Sequence, residues 1–333
     1  MNNHHRLSAM DKPIINPLPY RAFLTCFLLF AAAFGLPAFA DQAFDDQAAT
    51  PLKLHKVFYI EGPENFQPSG LTIHNDRLYT ICDKHDNVIY HLNLQHPDRQ
   101  NDTAAAIPEI FIKLSFFSFL YSYDFEGITC DEAGTFFLVS ETQSRILKVA
   151  ADGKKSAWIT PDLKPAGQTT GLIVDHNAGL EGICRLAENK ILVCAERQDR
   201  GFLEIDLTSD PVFVHAYPSE QSKFKFPPGI RKDFSGLYFY KNAVYVLQRN
   251  AFVIARLKRD KIHHLVETDG WSYRHIETMP PYRYADMTYG KAEGLCIDEQ
   301  YIYIIIDNNG NQRAGNPDDQ RPLLMMFEHP DNL

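Results

Sequence analysis

Asp124-Phe125-Glu126-Gly127-Ile128 is the clearest of five copies of a short mark. It returns as Leu180-Glu181-Gly182-Ile183 and Ala292-Glu293-Gly294-Leu295, and more loosely as Asp233-Phe234-Ser235-Gly236-Leu237 and Pro68-Ser69-Gly70-Leu71. The glycines fall at 70, 127, 182, 236 and 294, in steps of 57, 55, 54 and 58 residues. A nearly constant step is the sequence signature of a repeat architecture.

Each mark opens the same grammar. In the second copy the glycine leads into a short apolar run at 128–130, a polar turn at 131–134, an apolar strand at 136–139, a polar break and a third strand at 145–149. Fourth strands are expected at 109–112, 156–159, 212–215 and 264–266. These runs are short, rich in Val, Ile, Tyr and Phe, and separated by turn residues. The fold predicted is all-β: a β-propeller of three- or four-stranded meanders, packed blade on blade as a single domain. Five marks give five blades; six remain open if residues 258–290 hide a degenerate one. The strand at 53–60 is expected to join the last blade and close the ring. Residues 116–120 read as a short helix or a connector on the rim.

The first 40 residues read as a signal peptide: a polar start with Arg6 and Lys12, an apolar run at 22–33, and Ala38-Phe39-Ala40 before Asp41. The apolar run is short against the roughly 20 residues of a bilayer span. Export to the periplasm or the outside is therefore expected, with no stable membrane span after cleavage. A retained N-terminal anchor is the alternative, and Met10 is a second candidate start. Residues 41–52 are then a loose leader and 53–333 the propeller, expected to be a monomer. Five cysteines follow the leader (82, 130, 184, 194 and 296), so at least one thiol stays free. Buried cysteines acting as small hydrophobes are the simple reading; a Cys184–Cys194 disulfide across the 188–189 turn is the other. The net charge of −9, with no basic run, argues against nucleic-acid binding.

The residue before each glycine would sit at the channel mouth, giving a ring of Ser69, Glu126, Glu181, Ser235 and Glu293. A second ring follows 13 or 14 residues after the glycine: Asp83, Glu141, Glu196, Arg249 and Asp307. A hairpin of that length returns to the edge it left, so both rings belong to one face. Up to seven carboxylates meet there. They must be screened, protonated or bound to a cation, or must staple blades by accepting backbone hydrogen bonds. Oxygen ligands suit a hard cation, and calcium is expected. Zinc is not, because no His or Cys pair has ligand spacing. Asp307-Asn308-Asn309-Gly310-Asn311 resembles the opening of a calcium loop but carries Gln312 at the sixth place, so it is no EF-hand. Arg197, Arg200, Arg249, Arg313 and Arg321 fall in the same class of loops and could hold an anionic group.

These marks resemble two families of exported bacterial propellers: the phytase-like domain, known as "esterase-like activity of phytase", and the SdiA-regulated family. The resemblance rests on Ser69-Gly70-Leu71, Asp124–Ile128 with Val139-Ser140-Glu141, Gly179–Gly182 with Ala195-Glu196-Arg197, and Ala292–Leu295 with Asp307-Asn308-Asn309, over about residues 55–330. The closing Asp-Asn-Asn leans to the phytase-like branch, while Gln248-Arg249 stands where these families usually carry an acidic residue. What the resemblance implies is a calcium-binding propeller and hydrolysis of phosphate or carboxyl esters. There is no G-x-S-x-G elbow, Walker A loop or H-E-x-x-H, so nucleophilic catalysis has no support in the sequence. Two function classes remain. In a hydrolase, Glu126, Glu181, Glu293 and Asp307 would be metal ligands, Glu141 or Glu196 the base, and Arg197 and Arg249 would orient a small anionic ester. In a binding or signalling propeller the same cation would serve as structure or sensor, without turnover.

Overall fold

The computed structural model describes residues 49–95, 103–114, 122–175, 179–197 and 199–333. The segment read as a signal peptide and the stretch 116–120 lie outside them. Among the described residues no helix is long and apolar enough to cross a membrane.

The described residues form a β-propeller whose blades are four-stranded antiparallel meanders. The first blade runs Pro68–His74, Arg77–Cys82, Val88–Gln95 and Ala105–Lys113. The second runs Phe125–Cys130, Phe136–Ser140, Arg145–Val149 and Ser156–Trp158. Leu180–Ala187, Lys190–Ala195, Gly201–Asp206 and Phe213–Pro218 make the third. Gly236–Tyr240, Ala243–Gln248, Val253–Arg259 and Leu265–Ser272 make the fourth. The fifth takes Ala292–Ile297, Tyr301–Ile306 and Leu323–Glu328 from the end of the chain, and Leu54–Ile60 from its start. That N-terminal strand pairs antiparallel with Leu323–Glu328, as expected from the sequence. The leader's end is less loose than expected. Thr50 and Pro51 pair with Trp271 and Ser272 on the edge of the fourth blade, and Leu52 is buried.

The middle strands read as continuous apolar runs because both of their faces are covered. Phe136 and Leu138 pack toward the first blade with Tyr79, Ile81 and Ile89. Their neighbours Phe137 and Val139 pack the other way, with Ile183, Ile191 and Val193 of the third blade. The same alternation fills the three remaining seams: third to fourth, fourth to fifth and fifth to first. Each fully buried Leu, Ile, Val or Phe contributes about 1.5–3 kcal/mol, so the seams are where stability resides.

At the axis the innermost strands come closer than a side chain allows. A Cβ on Gly127 would lie 2.3 Å from the Glu181 carbonyl oxygen, and one on Gly182 would lie 2.5 Å from the Leu237 nitrogen. A Cβ on Gly294 would meet the Leu71 nitrogen at 2.7 Å, which brings the last blade back against the first. Serine replaces glutamate in two marks and staples the seam instead: Ser69 Oγ donates to the Phe125 carbonyl at 2.6 Å and Ser235 Oγ to the Ala292 carbonyl at 2.8 Å.

Among the described residues the cysteines do not pair. Cys184 faces Leu192 across the hairpin and Cys194 faces Phe202, so the strand register holds the two thiols apart. Cys82, Cys130, Cys184, Cys194 and Cys296 are all free, and all but Cys130 are fully buried. The small-hydrophobe reading is the one the structure supports.

Gly182→Ala drives a methyl group into the backbone of the fourth blade. It is expected to lower unfolding stability by about 2 kcal/mol, read as a shift in the urea midpoint at unchanged m-value; an unshifted midpoint would refute this close approach.

Candidate functional site

Apart from Ser235, both sequence-predicted rings open into one cavity of about 520 Å³, lined by Ser69, Asp83, Glu126, Glu141, Glu181, Glu196, Arg197, Arg249, Glu293 and Asp307. Gln67, Pro68, Lys84, Tyr289 and Asn309 complete the wall; of these, Gln67, Lys84 and Tyr289 were not singled out from sequence. What aims the first ring inward is a β-bulge. Pairing of the first two strands slips between Pro68 and Gly70, Phe125 and Gly127, Leu180 and Ile183, and Ala292 and Gly294. The extra residue at each slip includes the one before the glycine, and a bulge redirects that side chain.

The second ring is set by a repeated backbone contact. The N–H of the residue that follows the second strand donates to the carbonyl three residues before the glycine: Asp83 to Gln67 at 3.2 Å, Glu141 to Asp124 at 2.8 Å, Glu196 to Gly179 at 3.0 Å and Asp307 to Lys291 at 2.9 Å. In the fourth blade side chains make the link, with Arg249 Nε donating to Asp233 Oδ2 at 2.8 Å. Each blade therefore sets two particular residues side by side. Gln67 with Asp83, and Gly179 with Glu196, bring one carboxylate each. Asp233 with Arg249, and Lys291 with Asp307, bring opposite charges. Asp124 with Glu141 brings two carboxylates, and Glu126 adds a third.

These three carboxylates can each turn an oxygen to within 4.8 Å of the others, so they could hold a metal ion. At about that spacing, like charges repel by about 4 kcal/mol per pair at an effective dielectric of about 20. Burial, then the charge of Asp124, pushes Glu141 up to about 7. Burial first, then Asp124, Glu293 and Asp83, holds Glu126 well above the usual carboxylate range. Of the predicted ligands, Glu126 belongs to this group. Glu181, Glu293 and Asp307 line the same cavity elsewhere, and Glu141, predicted as a base, joins the cluster instead. Asp124 was missed as a ligand, although an Asp three before the glycine also occurs as Asp233.

Arg249 departs from its expected role of binding an anionic substrate. Its guanidinium is buried and turned to the protein: Nε to Asp233, Nη1 to Glu293 and Nη2 to Glu196. Burial works against its charge, but Glu293, Glu196 and Asp233 outweigh that and hold its pKa above the usual value. Glu196, the other predicted base, is also ion-paired with Arg197 Nη1 at 2.6 Å. Arg197 stays partly exposed at the mouth, and Lys84 lines the same cavity. The other loop arginines serve the scaffold. Arg200 is buried against Glu267 and over the Phe234 ring, Arg313 is buried over Tyr284, and Arg321 pairs with Asp319 and Glu61.

Several carboxylate oxygens in the wall are buried without a hydrogen-bond partner: Asp83 Oδ1, Glu293 Oε2 and Asp307 Oδ1. Burial raises Glu293 to about 8 and Asp307 to about 7, each against a favourable cation, Arg249 and Lys291 respectively. A set of oxygen donors this crowded and this poorly satisfied fits a hard cation.

The family model described as "Esterase-like activity of phytase" matches residues 67–310, which span the glycine marks and both rings. The chain belongs to this phytase-like family. No curated protein matches the phytase-like chain in sequence. Solved structures similar to it include virginiamycin B lyase from Staphylococcus aureus, at 11% identity, 83% of this chain, 74% of that one and a TM-score of 0.40. Another is the PQQ-bound aldose sugar dehydrogenase from Streptomyces coelicolor, at 10% identity, 84% and 100% coverage and 0.43. A chain of a nidogen/laminin complex matches at 13% identity, 78% and 83% coverage and 0.44. Likeness of this degree carries no activity across.

The raised carboxyl groups give the metal-free protein a definite pH dependence. Glu293, Glu141 and Asp307 hold protons in the folded state up to about 8, 7 and 7, against ordinary values of 4.5, 4.5 and 3.8. Between those limits the folded state binds more protons than the unfolded one, so stability falls as pH rises. In chelator-treated protein the thermal midpoint is expected to drop steadily from pH 5 to 8.5; a flat or rising profile would contradict these protonation states.

Proposed function

We propose that this phytase-like propeller is an exported, monomeric, calcium-dependent hydrolase of small anionic esters or phosphoesters, working at the acidic mouth. The observation that carries the reading is the second blade's facing pair, Asp124 and Glu141, with Glu126 beside them and no opposite charge supplied by the partner position. Asp124, Glu126 and Glu141 would hold the calcium, whose Lewis acidity would favour charge build-up on an ester or phosphoryl oxygen. Arg197 and Lys84, at the rim, attract and orient the anionic part of the substrate. Glu196, fixed by Arg197 and Arg249, accepts a proton from the attacking water. Glu293, protonated near neutral pH, has Oε2 free to donate to the leaving oxygen. Arg249 positions Glu196 and Glu293 rather than the substrate. Export is supported by the N-terminal segment's composition, with its apolar run at 22–33 and Ala38-Phe39-Ala40 before Asp41.

The locking of Arg249 and Glu196 into ion pairs favours a second reading, a calcium-loaded binding propeller without turnover. The two separate in one set of measurements. Calcium at a hundredfold excess over its Kd is expected to raise the thermal midpoint by about 5 °C, and Asp124→Asn/Glu141→Gln is expected to abolish that rise. An unchanged midpoint in the wild type removes the cation from both readings. A panel of phosphate and carboxyl esters should then show calcium-dependent turnover at least about 100-fold above a Glu196→Gln variant, the scale of a lost general base. A calcium-dependent midpoint without turnover leaves the binding propeller.

A further inference from the structure

The five pairs that face each other across the first hairpin of each blade occupy equivalent places. Each joins the residue three before the repeat glycine to the one that follows the second strand. In the second blade the pair is Asp124 and Glu141; in the fourth it is Asp233 and Arg249. The aspartate is the same, and what differs is the source of positive charge. In the fourth blade a single guanidinium contacts Asp233, Glu196 of the third blade and Glu293 of the fifth, so three carboxylates converge on one centre. Asp233 and Glu196 are almost wholly buried, and Glu293 is 9% exposed with Oε2 unpartnered. Without the guanidinium this is a second all-oxygen cage, drawn from three blades.

We propose that Arg249 is a built-in cation at the fourth-blade counterpart of the second-blade cluster, where Asp233 answers to Asp124, Ser235 stands for Glu126, Arg249 itself stands for Glu141, and the other two carboxylates come from the neighbouring blades, so that the mouth takes up one exchangeable divalent cation where the repeat would otherwise provide two. The inference rests on the cation reading of the second blade for its count, and on the Arg249 contacts alone for its mechanism. A guanidinium brings one charge and five donors in a fixed fork. A divalent ion brings two charges and takes six to eight oxygens at 2.3–2.6 Å. The exchange therefore fixes Glu196 and Glu293 permanently, whatever the calcium concentration, and leaves calcium control to the second blade. It also explains why the fourth repeat carries Gln248-Arg249 where the others end in an acidic residue.

The test replaces the guanidinium by a neutral side chain and counts ions. Apo wild type, Arg249→Gln and Arg249→Lys are titrated with calcium chloride alone by calorimetry, and thermal midpoints are read with calcium and with chelator. One ion per chain is expected for wild type and Arg249→Lys, and two for Arg249→Gln. In chelator, Arg249→Gln is expected to melt well below wild type, and calcium is expected to restore most of the difference. An Arg249→Gln chain that folds only in calcium supports the proposal. One that calcium does not rescue, or that binds no more ions than wild type, overturns it. The mirror variant Glu141→Arg gives an independent reading: it is expected to bind no calcium and to have a midpoint indifferent to the ion, and a full calcium response there also overturns the equivalence. If wild type binds none while Arg249→Gln binds one, the second-blade reading fails and the built-in cation stands.

Discussion

Near the axis, neighbouring blades meet backbone to backbone, and the rest of the molecule is built around that contact. Gly127 lies against the carbonyl of Glu181, Gly182 against the nitrogen of Leu237, and Gly294 against Leu71. Any side chain there would hold two blades apart. The seams behind could then not close over Phe136, Phe137, Ile191 and their partners. The same approach compresses the first strand into a bulge, which turns the preceding residue out of the sheet and into the mouth. Packing and site composition are thus one constraint: the glycine that admits the next blade also delivers a glutamate to the cavity.

That delivery has an electrostatic cost. Seven carboxylates line the cavity, against Lys84, Arg197 and Arg249. Burial and mutual repulsion push Glu126 and Glu181 far above their ordinary range, and Glu141, Glu293 and Asp307 to about 7, 8 and 7. The molecule relieves the crowding differently in each blade. Serine replaces glutamate in the first and fourth marks, Arg249 bridges a trio between the third, fourth and fifth blades, and Lys291 lies close enough to favour the charged form of Asp307. In the second blade the nearby cation is Lys84 of the first, which favours the charged form of Asp124 while paired with Asp83. The asymmetry leaves Asp124, Glu126 and Glu141 as the group that could hold a metal ion.

Much of the site's membership was legible in the sequence. The step between glycines and the 13- or 14-residue return place Glu126, Glu141, Glu181, Glu196, Glu293 and Asp307 at one mouth, and the structure puts them there. Spacing fixes the height of a residue in its own blade, and all blades share that height. The roles were less legible. Asp124 looked like part of a marker, because nothing in its spacing shows that its carbonyl receives the Glu141 N–H and brings the two carboxylates together. Arg249 looked like a ligand for an anion, because its partners lie 16, 44 and 53 residues away in sequence and in three different blades. The disulfide was excluded by register alone, which places Cys184 opposite Leu192.

The sequence by itself determined that the chain is a propeller repeat, where its hairpins turn, and which side chains stand at the mouth. These follow from local chemistry: apolar runs that need two covered faces, turns between them, and a glycine where backbones touch. The tertiary structure decided which carboxylates become neighbours, which arginine is consumed within the protein, and which blade gathers three carboxylates within reach of one ion. Those outcomes depend on contacts between blades, and such contacts exist only once the ring has brought distant repeats side by side.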